Sequence, residues 1–344
     1  MERGMGMALG IIPLSVVRLV SPRRLVSLFY HVVSEATLPH VSALYSYKTP
    51  DAFERDLLFL KRNYKLVTHD EVLADREGRA ALPSNAAQIS FDDGLSECFD
   101  VVRPLLLKHQ APCTFFLVKN LLDNRSLMYR QVVACCTERL AIMSDPSVAA
   151  ASRTLRRFCA PTTGRESLRR WIEDLKWTQK SELDAVCEAM GLDCAAFLQE
   201  CRPYLSTEQA MQLHRDGFTL GGHTCDHPNL AHLQWEQAAE QIVASCRFVA
   251  QMTGKQRVPF AIPFNGVMLS RDRLEALRRE TGMIDLIYDT NNLRLEREWI
   301  VNRVGADSPV GDAPGRSNLE DVMRLAHLKE PARELCRRLT HKPR

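Results

Sequence analysis

Seven short runs rich in β-branched and aromatic residues punctuate the chain: Leu25–Val32, Ala87–Phe91, Cys113–Val118, Phe218–Gly221, Val258–Pro263, Leu286–Asp289 and Ile300–Val304. Runs of this length and composition read as buried strands, and each is followed by a turn or a helical stretch. Asp51–Tyr64 places Phe53, Leu57, Leu60 and Tyr64 on one helical face. Ser96–Gln110 has the same character, with a kink expected at Pro104. Trp235–Thr253 predicts a third helix, closed by Gly254 in the C′ position. Strands that alternate with helices pack as a parallel α/β sheet or barrel.

One stretch breaks the alternation. From Leu121 to Leu205 the patterns are helical, including Leu168–Trp177 and Ser181–Met190, the latter with Ser181 as N-cap and Gly191 as its stop. Ser206-Thr207-Glu208 opens a further helix up to His214, with Gly217 after it, and Asn318–Leu339 predicts one or two helices with a basic end. The expected organisation is a single domain over residues 1–344, with a helical insertion at 121–205 and a helical extension at 316–344. Hydrophobic residues at 45% and charged residues at 25% are globular values and exclude a collagen-like, disordered or polytopic membrane chain. A net charge of +3 offers no basic stripe for nucleic acid. Eleven cysteines without a CxxC pair point to a reduced, cytoplasmic protein. Met7–Val20 is apolar but broken by Pro13 and Arg18, too short to cross a bilayer. It reads as an element packed on the domain; the alternative is a peripheral membrane contact.

Two segments carry chemistry. In Ile89-Ser90-Phe91-Asp92-Asp93-Gly94 an apolar strand ends in adjacent carboxylates, which repel unless a cation or proton lies between them. Alone, the segment is an ordinary Asp-Gly turn. In Gly221-Gly222-His223-Thr224-Cys225-Asp226-His227-Pro228 a second strand ends in two histidines four residues apart, a spacing that one helical turn converts into a shared face. Both segments follow strands, and strand ends of one parallel sheet converge. Asp93, His223 and His227 then form a carboxylate–dihistidine set for a divalent metal: Zn²⁺ first, with Co²⁺, Ni²⁺, Mn²⁺ or Fe²⁺ as alternatives. Asp92 stands beside it as a base.

These residues resemble a known family. Ser90–Gly94 is similar to the first motif of polysaccharide deacetylases of the NodB-homology (carbohydrate esterase family 4) type, and His223-Thr224-x-x-His227-Pro228 to the second. Phe260–Gly266 resembles the third, and Leu28–His31 with Phe53–Tyr64 the N-terminal stretch of many members. The resemblance implies a distorted (β/α) barrel and metal-dependent removal of an N-acetyl group from an amino sugar of a cell-surface glycan or its precursor. Asp92 would be the base, and Asp93, His223 and His227 the metal ligands. Pro263, Phe264 and Asn265, with Arg303 at the end of a late strand, are the expected substrate contacts; Arg303 reads equally well as structural. The chain departs from the pattern twice. Ala261 stands where the third motif usually has the arginine that orients the base, and no late Leu-x-His motif supplies the acid, for which His31 is the candidate. Three other readings share these residues: a hydrolase of a non-sugar amide, a non-catalytic glycan-binding relative, and an iron oxygenase using the same ligand types.

Overall fold

Every strand pairing in the structure, a computed structural model describing residues 14–20, 24–158, 160, 164–310 and 317–340, is parallel. The strands are β1 (Leu25–Tyr30), β2 (Lys65–Leu66), β3 (Ala86–Phe91), β4 (Thr114–Leu117), β5 (Thr219–Gly222), β6 (Val258–Ala261), β7 (Ile284–Asp289) and β8 (Ile300–Gly305). They run in the order β1-β8-β7-β6-β5-β4-β3, and β1 pairs with β3 as well as β8, so the sheet closes into a seven-stranded barrel. The short β2 pairs with the start of β3, whereas β4 pairs with its end. All seven expected strands are present. β2 was not anticipated, because two residues carry no periodicity.

The helices follow the patterns that predict them. Pro50–Asn63 is capped by Thr49 and buries Phe53, Leu57 and Leu60 against the barrel. Pro104 separates a wider π-helical turn, Cys98–Val102, from the α-helix Arg103–His109. Trp235–Thr253 ends at Gly254, whose φ of 69° is left-handed. One cap differs from expectation. The helix over Lys180–Met190 starts before Ser181; its N-cap is Gln179, whose side chain accepts from Lys176 N instead of capping.

Between β4 and β5 every described helix or strand is helical. The helices Tyr129–Ile142, Asp145–Leu155, Arg165–Glu173 and Lys180–Met190 bury an apolar core of their own around Val133, Cys136, Leu140, Leu155, Ile172 and Val186. Trp171 packs against this core and Trp177 lies under Lys180, so neither reaches the barrel mouth. The segment's end is tied to the loop after β3: Leu205 N donates to Gly94 O (3.0 Å) and Ser96 N to Pro203 O (2.9 Å). From the apolar N-terminal run, Leu14–Val20 is a helix that buries Leu14 and Val17 and holds Arg18 over the Tyr64 ring; residues 7–13 and 21–23 lie outside the described residues, as do 316 and 341–344. No helix among the described residues is long and apolar enough to cross a membrane.

Close packing inside the barrel gives a test. Gly221 faces Phe116 on β4, and a Cβ there would lie 2.6 Å from two ring atoms and 2.8 Å from the Pro259 carbonyl. The ring is fully buried and the carbonyl is backbone, so neither yields cheaply. Gly221→Ala is expected to destabilise the protein by about 1–3 kcal/mol. A denaturant midpoint equal to that of the parent would overturn this account of the packing.

Candidate metal and acid–base site

Period-two alternation along β3 sends Gln88, Ser90 and Asp92 into the barrel interior. The chain then turns sharply, with Asp93 and Gly94 both at φ 72°. After β5, Thr224 (φ 68°) and His227 (φ 55°) are left-handed as well, and so is Phe264 (φ 60°) after β6. Non-glycine residues in this region are uncommon, and for a β-branched residue such as Thr224 the conformation is an outlier. Such strain concentrates at functional sites. It also corrects one expectation. His223 and His227 are not brought together by a helical turn; they sit in an irregular loop. That loop is held by Thr224 Oγ1, which accepts from His227 N (2.9 Å), and by Gln241 Oε1, which accepts from Cys225 N (2.9 Å) and Asp226 N (3.1 Å).

The loops deliver the expected ligand set. Asp93 Oδ1 lies 3.5 Å from His223 Nε2 and 3.3 Å from His227 Nε2, and one ligand atom from each of the three lies within 4.8 Å of the others. His223 Nδ1 hydrogen-bonds the Ala261 carbonyl (2.8 Å), which fixes the tautomer and leaves Nε2 as the lone-pair donor. Burial pushes His227 down to about 4, against the pull of Asp93, so its imidazole is neutral at physiological pH. Burial alone would raise Asp93; the surrounding imidazoles, His227 first, hold its carboxyl below the usual carboxylate range. Asp93 Oδ1 and His227 Nδ1 are buried and make no hydrogen bond. Two neutral nitrogens and one charged oxygen, converging and otherwise unsatisfied, fit a divalent cation.

Asp92 is held from behind. Arg303, on β8, donates through Nη1 to Asp92 Oδ1 (2.6 Å) and through Nη2 to Oδ2 (2.8 Å), and Nη1 also reaches Ser90 Oγ (3.0 Å). The guanidinium is 0% exposed and lies 4.9 Å from the ring centroid of Phe29 and 5.1 Å from that of Phe116. Burial would raise Asp92, but the Arg303 charge and then His223 outweigh it and hold the carboxyl below its ordinary value. Arg303 is therefore not a substrate contact. It orients Asp92, a position the third motif leaves without an arginine because Ala261 stands there. Period-two spacing along Ile300–Val304 puts Arg303 on the face of Val301, but pairing with β1 decides that this face looks inward.

His31 follows β1. Its Nδ1 lies 2.7 Å from Asp307 Oδ2, and its backbone N–H donates to Asp307 Oδ1 (2.8 Å). Burial would lower its pKa, but Asp307, and more weakly Asp93 and Asp92, raise it to about 9. His31, Asp92, Asp93, His223 and His227 all line one cavity of about 480 Å³. Phe264 lines it too, but Pro263 is buried beneath its loop and Asn265 faces away, its Oδ1 accepting from Val267 N (3.3 Å). Of the four expected substrate contacts, only Phe264 reaches the cavity. Sequence reasoning also missed Asp307, Tyr45, Arg130 and Gln131; the last three line the cavity from a loop and from the insertion, neither of which shows a strand-end pattern.

Comparison with known proteins adds three observations. A family model described as "Polysaccharide deacetylase" matches residues 79–283. Among solved structures, the chain is similar to the Streptococcus pyogenes deacetylase PplD in complex with acetate, at 15% identity and a TM-score of 0.53, over 88% of this chain and 99% of that one. IcaB from Ammonifex degensii gives 17%, 0.50, 88% and 97%, and BC0361, a polysaccharide deacetylase from Bacillus cereus, gives 14%, 0.52, 87% and 69%. No curated protein matches the sequence.

The His31–Asp307 pair makes a pH-dependent contribution of known sign. A histidine raised from 6.5 to about 9 by folding adds stability that is complete below 6.5 and lost as pH rises towards 9. In chelator-treated protein, the unfolding midpoint is expected to fall across that window, and Asp307→Asn to remove the slope. A midpoint unchanged between pH 6.5 and 9 would refute the assignment.

Proposed function

The chain belongs to the polysaccharide deacetylase family, and we propose that it hydrolyses the N-acetyl group of an amino sugar with the help of a divalent cation held by Asp93, His223 and His227. The carrying observation is the position of Asp92, a buried carboxylate aimed into the cavity beside that ligand set and clamped by Arg303. A residue so placed has no use in a glycan-binding module. An absent third-motif arginine would speak for a non-catalytic relative, but here Arg303 supplies the guanidinium to Asp92.

Bound there, the cation would supply Lewis acidity, lowering the pKa of water and stabilising negative charge on the acyl oxygen. Asp92 accepts a proton from the attacking water, while Arg303 fixes its direction. A hydroxyl then adds to the acyl carbon and the C–N bond breaks, which requires a proton on the departing nitrogen. His31 carries that proton at neutral pH because Asp307 keeps it charged. The products are a free amine and acetate, the ion present in the S. pyogenes deacetylase structure. On this reading the substrate belongs to a cell-surface glycan or is its cytoplasmic precursor, and zinc is the first metal to test.

The test is acetate release by zinc-loaded protein from N-acetylated oligosaccharides, sugar nucleotides and lipid-linked sugars. Asp92→Asn keeps the shape but removes the proton acceptor, and the rate is expected to fall on the order of 10²–10⁴-fold with metal content retained. His223→Ala should lose most of the metal by elemental analysis. An active Asp92→Asn enzyme, or unchanged metal in His223→Ala, would sink the mechanism.

A further inference from the structure

Beyond the Asp/His cluster, the polar groups of the cavity are almost all donors. Arg130 lines it from the insertion and is half-buried. Its Nη1 donates to the Glu173 carbonyl (2.8 Å), which anchors the side chain without neutralising it; no carboxylate partners it among the described residues. Tyr45 lines the same cavity, its ring tilted against His31 at 4.7 Å between centroids, and its hydroxyl is buried with no hydrogen-bond partner. Gln131 uses its Oε1 to accept the Tyr204 hydroxyl, so its amide NH₂ is the end left over. The carboxylates that line the cavity, Asp92 and Asp93, belong to the cluster already described, and Asp92 is paired with Arg303.

The placement of Arg130 sharpens this imbalance. It is the second residue of the helix Tyr129–Ile142, whose N-cap, Met128, offers no side-chain cap and whose first turn contains no acidic residue. A cation in the first turn of a helix opposes the macrodipole, and the leading amides lack acceptors. One anion placed against Arg130 and those amides would relieve both at once.

We propose that the substrate is an N-acylated amino sugar bearing an anionic group, a phosphate or a carboxylate, that seats against Arg130 and the start of this helix while the acyl group meets Asp92 and the ligand set. The inference rests on the deacetylase reading and narrows its substrate class. A family barrel gains this selectivity through the insertion, since Met128, Arg130 and Gln131 all come from it. The rest of the wall, including Phe29, Met128, Ile262 and Phe264, is apolar, so among the described residues that line the cavity Arg130 is the one charged group outside the Asp/His cluster.

The experiment compares zinc-loaded parent and Arg130→Gln protein on N-acetylglucosamine 1-phosphate, UDP-N-acetylglucosamine, N-acetylmuramic acid and neutral N-acetylglucosamine oligomers. The first two report phosphate and the third carboxylate. The parent is expected to favour an anionic substrate by at least tenfold in kcat/KM. Arg130→Gln should lower kcat/KM for it, mainly through KM, at least tenfold more than for the neutral oligomers, with Arg130→Lys recovering part of the loss. Calorimetric binding of N-acetylglucosamine 1-phosphate gives a readout independent of turnover and should weaken at least tenfold in Arg130→Gln. Equal losses on neutral and anionic substrates, or phosphate binding indifferent to residue 130, would overturn the inference. Absent turnover with Arg130-dependent binding would instead count against the deacetylase reading alone.

Discussion

The ion pair between Arg303 and Asp92 is the constraint on which this molecule is organised. Two opposite charges are removed from water almost completely, a step that costs several kcal/mol per ion unless geometry and further hydrogen bonds offset it. Here they are offset. The pair is bidentate, Ser90 shares the guanidinium, and the rings of Phe29, Phe116 and Tyr288 lie around it. Those partners sit on β1, β3, β4, β7 and β8, so the arrangement exists only in a closed barrel. The polar character continues below it: Gln88 Nε2 donates to the Tyr288 hydroxyl (3.0 Å), and His69 bridges that hydroxyl (2.9 Å) and Asp285 (3.2 Å). A polar interior of this kind is stabilising to the extent that its members find partners, which ties the placement of Asp92 to those five strands.

Much of this was legible in the sequence, for physical reasons that also mark where legibility ends. Strand identity followed from β-branched, aromatic runs, and the strand ends placed Asp92, Asp93 and His223 on one rim. The convergence of His227 was foreseen but its cause was not. Helical spacing suggested one turn of helix, whereas the loop reaches the same result through two left-handed residues whose sequence, Thr-Cys-Asp-His, gives no glycine to announce them. Arg303, at the end of a strand near the site, reads from sequence equally well as a substrate contact and as structural. Which face of a strand looks inward depends on register with its neighbours, here Ser27↔Arg303, and register between strands this far apart is not written locally. Arg130 and Tyr45 were out of reach for a related reason: helical periodicity locates the insertion but does not say which of its residues face the cavity, and Tyr45 lies in a loop without periodicity.

Four of the left-handed residues share one location. Asp93, Thr224, His227 and Phe264 each hold a disfavoured backbone conformation, and all lie within the ligand loops or touch the cavity. Local preference is overruled there by tertiary contacts such as Gln241 to the Cys225 and Asp226 amides and Asp289 to Gly266 N (2.8 Å). The insertion adds to this bracing by fastening its return segment to Gly94 and Ser96, immediately after Asp92 and Asp93. The segment that supplies Arg130 and Gln131 to the cavity thus also braces the loop that carries these two carboxylates.

Closure of the barrel between β1 and β8 sets a condition on when this enzyme can exist during its own synthesis. His31 leaves β1 and waits for Asp307; Asp92 leaves β3 and waits for Arg303; both partners lie at or just after the last strand. A nascent chain that has emerged through β7 already contains Asp93, His223 and His227, yet Asp92 and His31 still lack their partners. Both side chains reach their final setting only when the last strand slots between the first and the seventh.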